Sequence, residues 1–96
     1  MRIRYTLRAK GDLAAIFDYI STRNPVAGHV VKRRIVQTIK LLGDFPEFGW
    51  ERPILEVRAL GVAGYRYTVY YRFEDNEVWL IHIRDDRRRP LERGDL

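Results

Sequence analysis

Arginines at alternate positions of the C-terminal half are the residues whose type and spacing could do chemistry. Their guanidinium groups could hold phosphates bidentately and stabilise charge on a transferring phosphoryl group, while Tyr70 could stack on an unpaired base. Two other interpretations stay open. Exposed strand faces often carry arginine for solubility, with Glu56 as an ion-pair partner, and Arg and Tyr also dominate protein interfaces. The arginines concerned are Arg58, Arg66, Arg72 and Arg84.

General acid–base catalysis has few candidates in this chain. His82 stands beside arginines on the last predicted strand, where it could act as a general acid or base. Because no second acid–base partner is near it in sequence, we favour a half-buried strand residue. The single serine, Ser21, has no neighbouring base, which argues against a Ser-His-Asp site.

Metal and cofactor sites find little support in the sequence. The chain has no cysteine, which excludes thiolate zinc sites, iron–sulfur clusters and thiol catalysis. His29 and His82 show no ligand spacing, and arginines flank the Asp85-Asp86 pair. The glycines of residues 61–64 lack the spacing of a phosphate-binding loop and join two predicted strands. We therefore expect no metal and no cofactor.

Composition predicts one domain, residues 1–96, with an anionic partner. The chain is 46% hydrophobic and 32% charged, which fits a soluble globular fold. The net charge of +5 favours binding to nucleic acid or to an acidic protein segment. No apolar run approaches the ~20 residues of a membrane-spanning helix, and no signal core follows the N-terminal charges. We expect a cytoplasmic protein that does not bind membranes.

Two amphipathic helices are predicted after a short first strand at Ile3–Tyr5. Thr6 offers the N-cap of the first helix, which ends near residues 21–24. Asn24 and Pro25 begin the second helix, which runs to about residue 42, with Gly43 as its stop signal. The short connection predicts an antiparallel hairpin. Asp12 falls outside the first apolar stripe, on the solvated side. The stripes are Leu13, Ile16, Phe17 and Ile20 in the first helix, and Val31, Ile35, Ile39 and Leu42 in the second.

Beyond the helices, the pattern changes from helical to strand-like. Two prolines and a glycine in residues 45–53 predict a loop without strand pairing, whose three aromatic residues fold back onto the core or a neighbouring surface. From residue 54, period-two alternation predicts three strands joined by turns at residues 61–64 and 74–76. Residues 85–96 carry three consecutive arginines and no clear period, which predicts a basic irregular tail.

The element order β-α-α-β-β-β predicts an α+β fold, a two-layer sandwich in which the helical hairpin packs on one face of an antiparallel sheet. The predicted covered face consists of Tyr67, Val69, Tyr71, Phe73, Trp79, Ile81 and Ile83. The predicted open face consists of Arg58, Arg66, Thr68, Tyr70, Arg72, His82 and Arg84.

The order and spacing of several short motifs resemble the RelE/ParE superfamily, the toxins of type II toxin–antitoxin modules, many of them once labelled plasmid stabilisation proteins. The matching motifs cover nearly the whole chain. They are Tyr5-Thr6-Leu7-Arg8-Ala9 with Asp12-Leu13, Ile16 and Tyr19-Ile20; Asn24-Pro25 with Ile35, Ile39 and Leu42; Phe45-Pro46 and Gly49; and Val57-Arg58, Gly64-Tyr65-Arg66, Tyr70-Tyr71-Arg72 and Val78-Trp79-Leu80-Ile81.

The resemblance implies the same fold and a cognate antitoxin as partner. Such antitoxins have a DNA-binding part and an extended segment that wraps the toxin in a hetero-oligomeric complex. That segment is usually acidic enough to suit a toxin of charge +5, and apolar grooves around the helical hairpin would supply most of the affinity.

Two branches of the superfamily act differently, and the sequence favours the ParE-like one. RelE-like members cleave messenger RNA in the ribosome, and their sheet arginines correspond to Arg58, Arg66 and Arg84. This chain lacks the expected lysines between Gly43 and Leu96, and no tyrosine or histidine follows Arg84. Arginine stays charged and cannot readily supply the proton transfers that RNA cleavage needs.

ParE-like members poison DNA gyrase by binding it, and we expect this action here. The second-helix basic residues are candidates for that binding, together with Arg58, Arg66, Tyr70, Arg72, Arg84, Arg87 and Arg88. One alternative is a ribosome-dependent endoribonuclease with catalytic residues among Arg58, Arg66, His82 and Arg84. A second alternative is an inactive member that only binds its antitoxin.

Overall fold

The order of helices and strands in this computed structural model agrees closely with the order predicted from the sequence. The structure describes residues 1–96. Two short 3-10 turns, Pro53–Leu55 and Arg93–Asp95, add to the regular elements. The helices and strands are β1 (Arg2–Tyr5), α1 (Leu7–Arg23), α2 (Pro25–Asp44), β2 (Trp50–Arg52), β3 (Val57–Gly61), β4 (Tyr67–Glu74) and β5 (Glu77–Asp85).

Both helices begin at the predicted caps. The Thr6 hydroxyl oxygen accepts a hydrogen bond from the Ala9 amide at 3.1 Å, and the Asn24 side-chain oxygen accepts one from the Ala27 amide at 3.1 Å. These bonds satisfy amide groups that the first helical turn leaves unpaired. Helix α2 passes through the predicted stop at Gly43 and ends one residue later. Neither helix combines the length and the apolar character that crossing a bilayer requires.

The five strands form one sheet in the order β1-β5-β4-β3-β2, which confirms the predicted α+β sandwich. Two details of the prediction are wrong. The sheet is mixed, because β1 pairs in parallel with β5 while all other pairs are antiparallel. Residues 45–53 contain a strand, because Pro46 and Pro53 lie outside β2 and leave its amides free to pair with β3.

A β-bulge in β5 changes which residues face the helices. Tyr70 is paired with His82, but Tyr71 is paired with Leu80, so Ile81 is an extra residue in the ladder. The side chains of Val78 and Leu80 are therefore fully buried in the core under the helices. The prediction that Trp79 and Ile81 face the helices is wrong, since simple alternation does not allow for the bulge.

The main core lies between the helices and one face of the sheet. Gly28 lets the helices approach, because an added Cβ there would lie 2.0 Å from the Ser21 hydroxyl oxygen. The core contains the predicted second-helix stripe and most of the predicted covered face. Its buried members are Ala9, Val31, Ile35, Ile39, Leu42, Val62, Tyr67, Val69, Tyr71, Val78, Leu80 and Ile83.

A second, smaller cluster lies on the outer face of the sheet, which the sequence predicts to be open. Its buried members are Leu55, Val57, Ala59 and Tyr70, and the partly buried Ile81, Leu91 and Leu96 pack against it. Two of these come from the predicted irregular tail, which folds back across the sheet. The outer face is therefore partly covered.

Candidate functional site

Arg84 is enclosed beneath the folded-back tail. Its side chain is 3% exposed, and its Nη2 donates a hydrogen bond to the Arg89 carbonyl oxygen at 2.8 Å. Its Nη1 lies 3.7 Å from a carboxylate oxygen of Asp95 and makes no hydrogen bond. This guanidinium group thus stabilises the tail, and a phosphate could not reach it without displacing the tail.

Asp95 is the acidic centre of this tail contact. Its carboxylate accepts two hydrogen bonds from the Arg89 guanidinium, at 2.8 and 2.6 Å, and these hold the pKa of Asp95 well below its usual range. The Asp95 carbonyl oxygen also accepts a hydrogen bond from Arg8 of α1 at 2.8 Å. Asp95 therefore connects the tail with β5 and α1.

His82 is a buried partner of α1 with 1% of its surface exposed. Its Nδ1 lies 2.6 Å from the Asp12 carboxylate, and the same carboxylate oxygen accepts a hydrogen bond from the Ile83 amide at 2.9 Å. The ring also stacks on Tyr70, with centroids 6.2 Å apart. The prediction that Asp12 faces solvent is wrong. Its carboxylate accepts a hydrogen bond from the Ile83 amide of β5, which has no partner in β1 because the pairing of β1 with β5 ends at Leu80.

Arg58 lies on the helix-facing side of the sheet, so its predicted place on the open face is wrong. Its alternation partners Val57 and Ala59 are buried on the outer face beneath the tail instead of under the helices. Arg58 donates hydrogen bonds to the carbonyl oxygens of Glu47 at 3.2 Å and Gly49 at 3.1 Å. It therefore fixes the segment that follows α2.

The other predicted binding residues occupy separate positions. Arg66 is exposed in the turn before β4, and Arg72 donates to the Glu56 carbonyl oxygen at 2.9 Å. Hydrogen bonds from Arg87 lower the pKa of Asp85 to about 2, whereas Arg88 is exposed. The structure brings Tyr70, His82 and Arg84 together beneath or beside the tail, but not with Arg58. A role in binding stays a prediction for all of them.

No group of three acidic or histidine side chains is arranged to hold a metal ion.

A groove beside the helical hairpin combines an apolar floor with lysines. It has a volume of about 410 Å³. The Lys32 ammonium lies 5.0 Å from the centroid of the Phe17 ring, so a cation borders the apolar surface. The groove is lined by Tyr5, Lys10, Leu13, Ala14, Phe17, Asp18 and Lys32.

Three aromatic side chains of residues 45–50 project into solvent, so the prediction that they fold back is wrong. Phe45, Phe48 and Trp50 are 57%, 61% and 80% exposed. The rings of Phe45 and Phe48 are close, with centroids 6.4 Å apart. Sequence patterning does not distinguish an apolar residue that fills the core from one that is displayed.

Comparison with known proteins gives one consistent family. The family model described as "ParE toxin of type II toxin-antitoxin system, parDE" matches residues 3–90. A protein of Sinorhizobium fredii named "Putative toxin Y4kP" is 35% identical over 81 residues, which cover 83% of this chain and 84% of that protein. A solved structure described as "Chromosomal ParDE TA system from P. aeruginosa" matches with a TM-score of 0.78 at 25% identity, covering 88% of this chain and 95% of that chain. The chain therefore belongs to the ParE toxin family of type II toxin–antitoxin systems, the branch that its sequence favours.

Proposed function

We propose that this toxin binds DNA gyrase and blocks its supercoiling reaction, and that a cognate antitoxin neutralises it in a hetero-oligomeric complex. The family match over residues 3–90 supports the toxin role. The observation that favours binding over catalysis is the engagement of the candidate catalytic groups in the fold's own contacts.

The four residues that a ribonuclease would use are dispersed or enclosed. His82 and Arg84 are 1% and 3% exposed. Arg58 holds the segment after α2 from the other side of the sheet, and Arg66 stands apart in a turn. General acid–base catalysis requires a group within hydrogen-bond reach of the substrate. This arrangement supports gyrase inhibition rather than cleavage of ribosome-bound messenger RNA.

The groove beside the helical hairpin suits an antitoxin segment that is apolar and acidic. The antitoxin partnership rests on the parDE family and on the ParDE system of P. aeruginosa. Leu13 and Phe17 offer an apolar contact, while Lys10 and Lys32 would attract carboxylates of the wrapping segment. Apolar burial would supply the affinity, and the lysines would supply orientation and speed of association.

A supercoiling assay with purified DNA gyrase tests the proposal. Antitoxin-free toxin, shown to be folded by circular dichroism, is titrated into the reaction. We expect loss of supercoiling together with accumulation of cleaved DNA, and recovery when the antitoxin is added.

The contrary results are equally informative. Unchanged gyrase activity at every toxin concentration would overturn the gyrase proposal. Cleavage of ribosome-bound messenger RNA by the same protein would establish the nuclease alternative. Failure of both assays, with antitoxin binding intact, would identify a member that only binds its antitoxin.

A further inference from the structure

Residues 44–51, here called the aromatic segment, expose a large apolar surface to solvent. Three large aromatic side chains within six residues, Phe45, Phe48 and Trp50, are more than half exposed. Exposed aromatic residues that are held together commonly mark a contact surface for another protein, because aromatic side chains dominate interface energetics.

The aromatic segment is held in place by two side chains of the sheet. The buried Tyr71 hydroxyl donates a hydrogen bond to the Pro46 carbonyl oxygen at 2.7 Å and accepts one from the Gly49 amide at 2.9 Å. Arg58 donates to two further carbonyl oxygens and, at 2.9 Å, to the Glu51 carboxylate. An added Cβ at Gly49 would lie 2.7 Å from the Tyr71 hydroxyl oxygen, so the glycine permits this contact. A surface fixed before binding loses less conformational entropy on association.

The charge of the aromatic segment is opposite to that of the rest of the molecule. Residues 44–51 contain three carboxylates and neither lysine nor arginine, so the remaining residues carry a net charge of +8. Arg58 neutralises Glu51, whereas Asp44 and Glu47 have no ion-pair partner. Free carboxylates beside exposed aromatic residues would repel nucleic acid and an acidic antitoxin segment.

We propose that the aromatic segment is the surface with which the toxin holds its target protein. The complementary surface on the target has apolar cavities bordered by lysine or arginine, since these match the exposed rings and the free carboxylates. The proposal rests on the proposed function in that the toxin acts by binding a protein. It assigns that contact to a surface separate from the groove beside the helical hairpin.

The test compares the double variant Phe48→Ala/Trp50→Ala with the matched control Leu7→Ala/Val26→Ala. The control removes exposed apolar side chains elsewhere, since Leu7 is 87% and Val26 is 73% exposed. Growth arrest on expression, inhibition of gyrase, antitoxin capture and thermal unfolding are measured for each. We expect the aromatic variant to lose about tenfold or more in toxic potency, with antitoxin capture and melting temperature unchanged. The control variant keeps all four properties.

Charge reversal provides a second arm. Glu47→Lys should weaken toxicity by placing a cation against the basic border of the target, whereas Glu74→Lys in the β4–β5 hairpin should not. Full potency in both the aromatic and the Glu47 variants would overturn the proposal. Loss of antitoxin capture in the aromatic variant would overturn it too, because the segment would then be an antitoxin contact.

Failure of this inference is distinguishable from failure of the gyrase proposal. If the wild-type protein arrests growth without inhibiting gyrase, the growth assay alone decides whether the aromatic segment holds the target. If gyrase inhibition is retained by all variants, gyrase is the target and this surface does not bind it. A wild-type protein that neither arrests growth nor inhibits gyrase contradicts both proposals.

Discussion

The Tyr71 hydroxyl joins the sheet to the chain that follows α2. It donates to the Pro46 carbonyl oxygen and accepts from the Gly49 amide, in a fully buried side chain. Burial raises the pKa of Tyr71 above its ordinary value, so the phenol keeps the proton that it donates. One oxygen atom therefore satisfies two backbone groups that the strand ladder does not reach.

Tyr71→Phe should destabilise the protein by about 1–3 kcal/mol, because it leaves the buried Gly49 amide without a partner. The free energy of unfolding in urea measures this change. Tyr65→Phe is the matched control, since no hydrogen bond to its hydroxyl is found and its removal should cost little. Equal stability of the two variants would contradict the structural role of the Tyr71 hydroxyl.

Contacts between distant residues could not be predicted from the sequence. Asp12 and His82 are seventy positions apart, and neither carries a local signal for the other. Arg58 alternates with apolar residues as a solvent-facing strand residue would, yet the tail buries its neighbours and the segment after α2 uses its donors. The position predicted for a residue is therefore wrong where its hydrogen-bond or packing partner comes from a distant part of the chain.

At the scale of elements, one side chain at the junction between β1 and α1 makes two different hydrogen bonds. The Thr6 hydroxyl caps α1 by accepting from the Ala9 amide, and it donates to the Leu80 carbonyl oxygen of β5 at 2.7 Å. The Asn24 side chain only caps α2, by accepting a hydrogen bond from the Ala27 amide, while its backbone amide donates to the Ile20 carbonyl oxygen at 2.8 Å and ends α1. The first junction thus fixes a helix to the sheet, while the second joins the two helices without contacting the sheet through its cap.

Thr6→Ala should therefore cost about 2 kcal/mol in unfolding free energy, compared with about 1 kcal/mol for Asn24→Ala. Chemical unfolding of the two variants measures the difference, and Thr6→Ser should restore most of the loss. A larger effect at Asn24 would show that the contact with β5 contributes little.

The tail is held by an ion pair whose contribution depends on pH. Asp95 has a lowered pKa in the folded protein because of its hydrogen bonds to Arg89. Its stabilising contribution is fully present above the unfolded pKa of about 4 and is lost as the pH falls towards the lower folded value. The stability difference between wild type and Asp95→Asn should therefore be largest at neutral pH and shrink below about pH 4. Unfolding curves between neutral and acidic pH measure it, and a difference that grows on acidification would contradict this sign.

The positions of the helices and strands could be predicted well from the sequence. Which side chains of β5 face the helices could not. The helix starts follow from Thr6, Asn24 and Pro25, which act on their immediate neighbours. The bulge at Ile81 depends on how β5 pairs with β4, and no residue between Val78 and Ile83 marks it. Period-two patterning therefore predicted the existence of β5 but assigned its four side chains from Val78 to Ile81 to the wrong faces.

At the scale of the whole molecule, charge distinguishes the two surfaces that are proposed to bind partners. The groove beside the helical hairpin has two lysines and one aspartate in its lining, whereas the aromatic segment holds only acidic charges. Opposite local charges let one small protein favour two partners of different chemistry.

Lys10→Glu/Lys32→Glu should slow association with the antitoxin, with a smaller effect on dissociation, because charges at the border of an interface mainly steer encounter. The loss should shrink at high salt, where the Debye length falls to about 3 Å. Surface plasmon resonance at two salt concentrations measures both rates. Arg34→Glu/Lys40→Glu makes the same change in net charge outside the groove lining. An equal slowing by that control would mean that net charge, and not the groove, is responsible.

The parallel pairing of β1 with β5 also sets the order in which the chain can fold. Arg2 lies opposite Glu77, 75 positions later, so the first strand has no partner strand until β5 has left the ribosome. Pairings across such separations form late, because the intervening chain must be ordered first. Tyr71, which holds the aromatic segment, also emerges well after the segment itself. The aromatic segment therefore reaches its held conformation only after β4, which carries Tyr71, has been synthesised.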